Sequence, residues 1–352
     1  MVHIHAAGAF SFAMPASDVS VSATLAPAAG FCGRADANGG QNVVWSFDPT
    51  TGALAVSTNA AAVGTDFSMA DYRWSDPANT PWADLNPYIR SVVLAPGVAS
   101  VGDCAFYGCT ALASLSIGGD VVHIGESAFE NCTALESVAI PGSVAAVGYS
   151  AFWGCTALAT VEGGANVTRV GGCAFGLLSG GNDSTTPWLR ARPAGVVYLG
   201  KVAIAFQSGG GTAVEIAPGT VSIAEHAFER APVASVVIPE SVAHIGEQSF
   251  CSCNNLAAVY LLSATPPALD APGSLFTGGD GFPDPDLLFY VRGTAYADAW
   301  SDVHSRSQAD EAASIWQSEM KGHVLALKAV DLPRLVCNWL KQVQWLAWRA
   351  ED

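Results

Sequence analysis

The fold is indicated most clearly by residues His123 to Pro141, which run His-Ile-Gly-Glu-Ser-Ala-Phe-Glu-Asn-Cys-Thr-Ala-Leu-Glu-Ser-Val-Ala-Ile-Pro. Related copies begin at 23-residue steps at Ser91, Ser114, Ser137 and Thr160, and the pattern resumes at Ala213, Ser235 and, in degenerate form, Ala258. A phenylalanine recurs at the same place in most copies, as Phe106, Phe129, Phe152, Phe175, Phe228 and Phe250. A fixed period of about 20–50 residues predicts a solenoid or another stacked repeat array.

The copy that starts at Ser137 shows how one coil closes. Val138 and Ile140 alternate with small residues, which indicates a strand with one buried face. Val147 is a second inward residue, and a spacing of three to four then predicts a tight helical or 3₁₀ segment through Ala151, Phe152, Cys155 and Leu158. A coil cannot bury its hydrophobic edge alone, so stacked coils should align these residues in structural ladders. The expected ladder positions are the six phenylalanines and Cys109, Cys132, Cys155 and Cys253.

Composition limits the class of protein and the kind of partner. Half of the residues are hydrophobic and 13% are charged, with 36 Gly and 19 Pro, which favours many short buried strands. The 15 Lys and Arg against 31 Asp and Glu leave a formal net charge of −16, which argues against nucleic acid as a partner. The sequence contains no run of eighteen apolar residues, so no transmembrane helix is predicted.

The repeat and its flanks resemble a known family. The run from His123 to Pro141 is similar to the repeat of the BspA-like leucine-rich-repeat family of bacterial surface proteins. Other parts of the chain also resemble features of the family. The stretch from Cys32 to Tyr72 resembles its β cap, and Thr186 to Val202 resembles a known insertion. Ala264 to Pro267, together with Phe289 to Trp300, resembles its terminal coil. The resemblance covers about residues 30–302. It implies display at the cell surface or secretion, adhesion-type binding to host or partner proteins, and no enzymatic activity or cofactor.

We therefore expect a β-rich repeat solenoid of the α/β leucine-rich-repeat type, with parallel strands stacked coil on coil. The expected parts are an eroded signal or disordered leader (1–30), an N-terminal β cap (31–90), the solenoid (91–302) with an insertion near 179–212, and a helical C-terminal tail (303–352). In the tail, the spacing of Leu335, Trp339 and Leu340 is helical. The tail could cap the last coil, dock a partner or remain unfolded.

The chemical motifs have simple structural explanations. The ladder cysteines are expected to be buried free thiols, in preference to disulfides or zinc ligands. His-Ile-Gly-Glu occurs at His123 and at His244, and neither copy has the second histidine of a zinc protease, so both are expected to be solvated turn residues. The acidic loop from Asp280 to Asp286 lacks the closing glutamate of a calcium loop. No nucleophile or phosphate-binding motif is present, which favours a non-enzymatic protein.

Surface residues remain as the candidates for function. The outward strand positions are small or apolar and mostly uncharged, and they predict a smooth face for another protein: Ser114, Ser116, Ser137, Ala139, Ser235, Val237, Tyr260 and Leu262. Tyr107, Trp153 and nearby Tyr149 occupy turn positions where other coils carry Glu130 and Glu229. We take Tyr107, Tyr149, Trp153 and Tyr260 as candidate partner-binding residues, while the rings could equally pack against the adjacent coil. Protein adhesion is the expected function, with a structural spacer or a carbohydrate-binding module as alternatives.

Overall fold

The computed structural model describes residues 28–35, 38–62, 64–73, 75, 79–176, 185–263, 267–270 and 275, and the backbone of residues 288–291. Three features expected from the sequence lie outside these residues: the leader as far as residue 27, the acidic loop from Asp280 to Asp286, and the tail at residues 303–352. No helix in the described part of the chain is long and apolar enough to cross a bilayer.

An antiparallel β cap opens the described chain. Its strands are β1 (Ala28–Phe31), β2 (Val43–Asp48) and β3 (Ala53–Thr58). Alternate residues of β2, namely Val43, Trp45 and Phe47, are buried, as expected for a strand with one face on the core. After a 3₁₀ helix, Ala83–Tyr88, β4 (Ser91–Leu94) pairs in parallel with β3, so the cap joins the first coil within one sheet. The N-terminal β cap is thereby confirmed.

Each coil contributes one strand to each of two parallel ladders. The first ladder contains β4, β6 (Ser114–Ser116), β8 (Ser137–Ile140) and β10 (Thr160–Gly163), with β4 paired to β6 and β8 paired to β10. The second ladder contains β5 (Ser100–Val101), β7 (His123–Ile124), β9 (Ala146–Val147) and β11 (Arg169–Val170). Its register joins Ser100, His123, Ala146 and Arg169, so one 23-residue copy is one coil.

The sequence predicted a helical or 3₁₀ segment at the close of each coil, and the structure has linked turns there in place of a continuous helix. The backbone bonds of these turns are of the 3₁₀ type: Trp153 N donates to Ser150 O at 2.9 Å, and Cys155 N donates to Phe152 O at 3.3 Å. Ser150 has a φ of 51°, and the equivalent Ser127 has a φ of 50°. A left-handed residue in each coil interrupts any continuous right-handed helix, so the inward spacing arises from linked turns.

An insertion then leaves the repeat. Thr186 Oγ1 accepts a hydrogen bond from Leu189 N at 3.3 Å and caps the short helix α1 (Pro187–Arg190). An antiparallel hairpin follows, formed by β12 (Gly195–Leu199) and β13 (Val202–Gln207). β13 also pairs in parallel with β15 (Ser222–Ile223), so the hairpin joins the second ladder of the following coils.

Further coils complete the described chain. Their first-ladder strands are β14 (Ala213–Glu215), β16 (Ser235–Ile238), β18 (Ala258–Leu261) and β20 (Leu288–Val291), and their second-ladder strands are β15, β17 (His244–Ile245) and β19 (Ala268–Leu269). The protein is therefore a parallel-strand β-solenoid of about seven turns with little helix. We call residues 28–176 the first block and residues 185–291 the second block.

Candidate functional site

Aromatic rings form the centre of the solenoid. The rings of Trp82, Phe106, Phe129, Phe152 and Phe175 stack at centroid distances of 5.3–5.4 Å with interplanar angles of 8–12°. Trp188 closes this stack at 4.8 Å with its ring tilted by 53°. A second stack joins Phe206, Phe228 and Phe250 at 5.7 and 4.9 Å. The ladder phenylalanines are all buried, so they hold the coils together and are not available to a ligand.

Sequence reasoning missed the ends of these stacks. Trp82 lies 24 positions before Phe106, one residue more than the repeat period, and that near-match was an available signal. Trp188 and Phe206 belong to the insertion, where no period relates them to a ladder position. Trp82 Nε1 donates to Ala105 O at 3.0 Å, which pairs the polar atom of a buried indole.

The ladder cysteines are buried and form no disulfide. The thiols of Cys132 and Cys155 donate to the carbonyl oxygens of Phe106 and Phe129 in the preceding coil, each at 3.2 Å. Cys253 does the same toward Phe228 O at 2.9 Å. Burial raises the pKa of Cys109 and Cys155 to about 12, so these thiols remain protonated.

The turn aromatics, Tyr107, Tyr149 and Trp153, lie on the outside of the first block. Tyr107 and Trp153 each follow a ladder phenylalanine, and both are half-buried. Tyr149 is 42% exposed. The structure thus places Tyr149 and Trp153 in one turn and Tyr107 at the equivalent of Trp153 two coils earlier, with Glu130 at that position in the coil between.

Tyr260 is not the exposed residue that the sequence predicted. Its side chain is 5% exposed, and Val237, its register partner on β16, is 6% exposed. β18 is an interior strand, between β16 and β20, and a side chain flanked in register on a sheet loses much of its solvent exposure. Tyr260 and Val237 are therefore not part of the smooth outward face, whereas Ser114, Ser116, Ser137 and Ala139 are exposed.

A groove of about 530 Å³ follows the outer side of the second ladder. Its lining includes Tyr149 but neither Tyr107 nor Trp153, so the structure does not bring all three turn aromatics into one cavity. The floor contains Ala146, Gly148 and Gly171, whose small size leaves room. The charged and polar lining comes from both blocks: Asp103, His123, Glu126, Arg169, Ser222, Glu225, His244 and Asp270.

The two His-Ile-Gly-Glu copies both contribute to this groove, and the expectation that their histidines are solvated turn residues is wrong. His123 and His244 lie in β7 and β17 and are half-buried, because their residue position forms the second-ladder strand. A ring nitrogen of His244 lies 2.6 Å from Asp270 Oδ1, and Arg169 lies 3.7 Å from the same oxygen. The His244–Asp270 pair fixes one end of the groove, while the Arg169 contact is exposed and weak.

Tyr149 remains a neutral phenol throughout the physiological range. Burial, followed by interaction with the Cys173 thiol, raises the pKa of Tyr149 to about 12. Its ring therefore offers an aromatic face and a neutral hydroxyl at the groove. Among the described residues, no group of three His, Cys, Asp or Glu side chains lies close enough to hold a metal ion. The geometry of the groove supports contact with another molecule.

One family model matches this chain, and several solved structures are similar to it. Residues 85–179 and 203–265 match the family model of the BspA type leucine rich repeat region, in six copies. Among solved structures, the chain is similar to a leucine-rich repeat protein from Eubacterium ventriosum, at 16% identity over 76% of this chain and 78% of that chain, with a TM-score of 0.37. It is also similar to a leucine-rich repeat protein from Bacteroides ovatus, at 14% identity over 72% of this chain and 78% of that chain, with a TM-score of 0.29. The pneumococcal vaccine antigen PcpA is similar at 13% identity over 65% of this chain and 75% of that chain, with a TM-score of 0.29.

No curated protein matches the sequence. Residues 180–202, between the two matched ranges, contain α1 and all of β12, where the chain leaves the repeat. The matched repeats coincide with the coils whose phenylalanines stack and whose strands pair in register. The chain therefore belongs to the BspA-like leucine-rich-repeat family.

Proposed function

We propose that this solenoid is a non-enzymatic protein-binding or adhesion module, displayed at or secreted from a bacterial cell surface. Its partners are protein ligands of the host or extracellular-matrix type. The family supports this assignment, because BspA-like repeats suggest a binding or surface role. A formal net charge of −16 would draw a basic partner surface toward the solenoid and raise the association rate.

The observation that carries the proposal is the pair Tyr149 and Trp153 on a turn that the neighbouring coil holds in place. Tyr149 O accepts from Ser127 N at 2.8 Å, and Trp153 O accepts from Asn131 N at 2.7 Å. Phe152, which lies between them, is buried in the ring stack. Aromatic side chains on a preorganised turn lose little entropy on binding and are frequent hot spots in interfaces.

Trp153→Ala tests this proposal against simple packing. The protein would be measured against immobilised fibronectin, collagen and fibrinogen and on a glycan array, with melting temperatures recorded in parallel. If Trp153 contacts the partner, affinity for the protein that the wild type binds should fall about thirtyfold, or about 2 kcal/mol, while the melting temperature stays nearly constant.

Val122→Ala is the matched control, because Val122 is an apolar side chain at the surface in another loop of the repeat. It should leave affinity unchanged. A Trp153→Ala variant that melts earlier yet binds normally would assign the indole to packing against the neighbouring coil. Wild-type protein that binds only glycans would favour a carbohydrate-binding module, and wild-type protein that binds no probe would favour a spacer.

A further inference from the structure

The two blocks meet at a junction where the regular stacking stops. β10 ends the first ladder of the first block and pairs only with β8, and β11 likewise pairs only with β9 among the described strands. The bonds that cross to the second block include Lys201 N to Val167 O at 2.9 Å and Ser222 Oγ to Thr168 O at 2.8 Å. Because the strand ladders are interrupted here, side-chain interactions contribute more to holding the two blocks together.

Glu225 reaches across this junction. Its Oε2 accepts a hydrogen bond from the backbone N–H of Gly172 at 3.4 Å. A Cβ on Gly172 would lie 2.9 Å from Glu225 Cδ, so the carboxylate occupies space that a larger residue at 172 would fill. The absence of a side chain at Gly172 is thus what lets a carboxylate of the second block sit against the backbone of the first.

His226 lies between this carboxylate and a second one. Its Nε2 is 3.5 Å from Glu225 Oε1, and its Nδ1 is 3.1 Å from Glu229 Oε2. The side chains of His226 and Glu229 are only 16% and 14% exposed. His226 has a φ of 58°, as its equivalents in other coils do, for example Cys173 at 58° and Gln248 at 52°. The coil geometry therefore fixes the position of this imidazole.

The other groups around His226 make the surroundings negative. From the next coil, Glu247 contributes a further carboxylate charge. Arg230 Nε lies 3.6 Å from Glu229 Oε1, and the Arg230 side chain is largely exposed. From the first block, Cys173 and Tyr149 interact with Glu225, and both have a pKa raised to about 12, chiefly by burial. Three carboxylates thus surround the imidazole, while Cys173 and Tyr149 of the first block are neutral.

We propose that Glu225, His226 and Glu229 form a pH-responsive clasp that fastens the second block to the first when His226 is protonated. A proton taken from solvent makes the imidazole a cation that lies within ion-pair distance of both carboxylates. This charge holds Glu225 in the orientation in which it accepts from Gly172 N. When the proton leaves, Glu225 and Glu229 lose their shared counter-charge and their mutual repulsion is no longer offset. The clasp does not depend on the proposed partner binding.

The direction of the pH effect follows from the pKa of His226. The hydrogen bond with Glu225 raises this pKa above its ordinary value, and the charges of Glu225, Glu229 and Glu247 add to the increase, while burial opposes it. A raised pKa in the folded state means that the stabilisation is complete below about pH 6.5 and is lost as the pH rises through the folded-state value.

Loosening of the clasp would alter the groove, because Glu225 and Tyr149 both line it. A carboxylate released from Gly172 N can turn toward the groove floor. The clasp thereby couples the protonation of one half-buried imidazole to the shape of the surface at the junction.

His226→Gln tests the clasp, because glutamine has a similar size but cannot carry the charge. Melting temperatures of the wild type and the variant would be measured at pH 5.5 and 8.5. At pH 5.5 the wild type should melt at least about 3 °C higher than the variant, and at pH 8.5 the two should agree within about 1 °C. His123→Gln is the control, since His123 has no ion-pair partner among the described residues, and it should show no such pH-dependent difference. An equal difference at both pH values, or none at pH 5.5, would overturn the proposal.

Hydrogen exchange locates the effect. At pH 5.5, His226→Gln should speed amide exchange at least about fivefold in peptides that cover residues 168–176 and 222–229, with no change at 121–131. Uniform acceleration along the chain would contradict a local clasp. If the variant fails to fold, an NMR titration of His226 in the wild type decides the question, because an apparent pKa at or below about 6.5 would also overturn the proposal.

Discussion

Among single residues, the ladder cysteines show most directly how the stack controls chemistry. Each thiol of Cys132, Cys155 and Cys253 both fills space in the core and donates to a carbonyl of the preceding coil. Burial raises the pKa of Cys132 well above its ordinary value, because an apolar core disfavours the thiolate. A thiol that is neither exposed nor ionised cannot act as a nucleophile.

We expect Cys132 and Cys155 to resist iodoacetamide in the native protein. Peptide mapping by mass spectrometry after about an hour at pH 7.5 should find both unmodified, and both should be labelled fully in urea. The partly exposed Cys251 is the internal reference and should react first. Rapid native labelling of Cys132 would mean that the coils open far more readily than this packing allows.

At the scale of the coil, the close approach of neighbouring turns depends on glycine. A Cβ on Gly148 would lie 2.6 Å from Glu126 N, and Gly171 and Gly246 meet the backbone of the preceding coil in the same way. The backbone φ of Gly148 is not positive, so the requirement for glycine at this position is steric and not conformational. The glycines that follow β7, β9, β11 and β17 therefore set the distance between those coils and the coils before them.

Gly148→Ala should destabilise the first block by about 1–3 kcal/mol, because the added methyl group pushes against backbone that cannot move away. Urea unfolding followed by circular dichroism would measure the loss. Gly142→Ala is the matched control in the same coil, since its Cβ would meet nothing closer than Asn166 Nδ2 at 3.7 Å. If both variants unfold alike, contact between coils at Gly148 is not limiting.

At the scale of the whole molecule, stability passes from coil to coil through the ring stacks. In a solenoid each coil contacts only its neighbours, so a defect in the middle of a stack weakens two interfaces at once. Phe152 occupies such a position, with Phe129 on one side at 5.4 Å and Phe175 on the other at 5.3 Å.

Phe152→Ala should cost about 3–5 kcal/mol, because the cavity lies between two coils that are held by their own strands and cannot collapse onto it. The free energy of unfolding in urea would show this. Thr156→Ala, at an exposed position of the same coil, should change it by less than about 0.5 kcal/mol. Equal unfolding midpoints for the two variants would contradict the stacked-ring core.

The repeat could be predicted from the amino-acid sequence alone, because the inward residues of one coil recur in the next and every copy has the same local pattern. Strand positions such as Val138 and Ile140, the phenylalanine stack and the β cap could all be predicted on that basis. The turns that close each coil could not be distinguished from a helix, since both space buried residues by three to four. The difference lies in the left-handed φ of Ser150 and its equivalents, which residue type does not reveal.

Where the repeat is broken, the contacts between residues could be known only from the folded chain. Gly172 and Glu225 are 53 positions apart, and no period relates them, so their hydrogen bond had no signal in the pattern. The same holds for Trp188, which the insertion carries onto the end of the ring stack, and for Tyr260, whose burial depends on its neighbours across the sheet. Periodicity predicts contacts between equivalent residues of adjacent coils. An insertion creates contacts between residues that are not equivalent, and these contacts depend on how the whole chain packs.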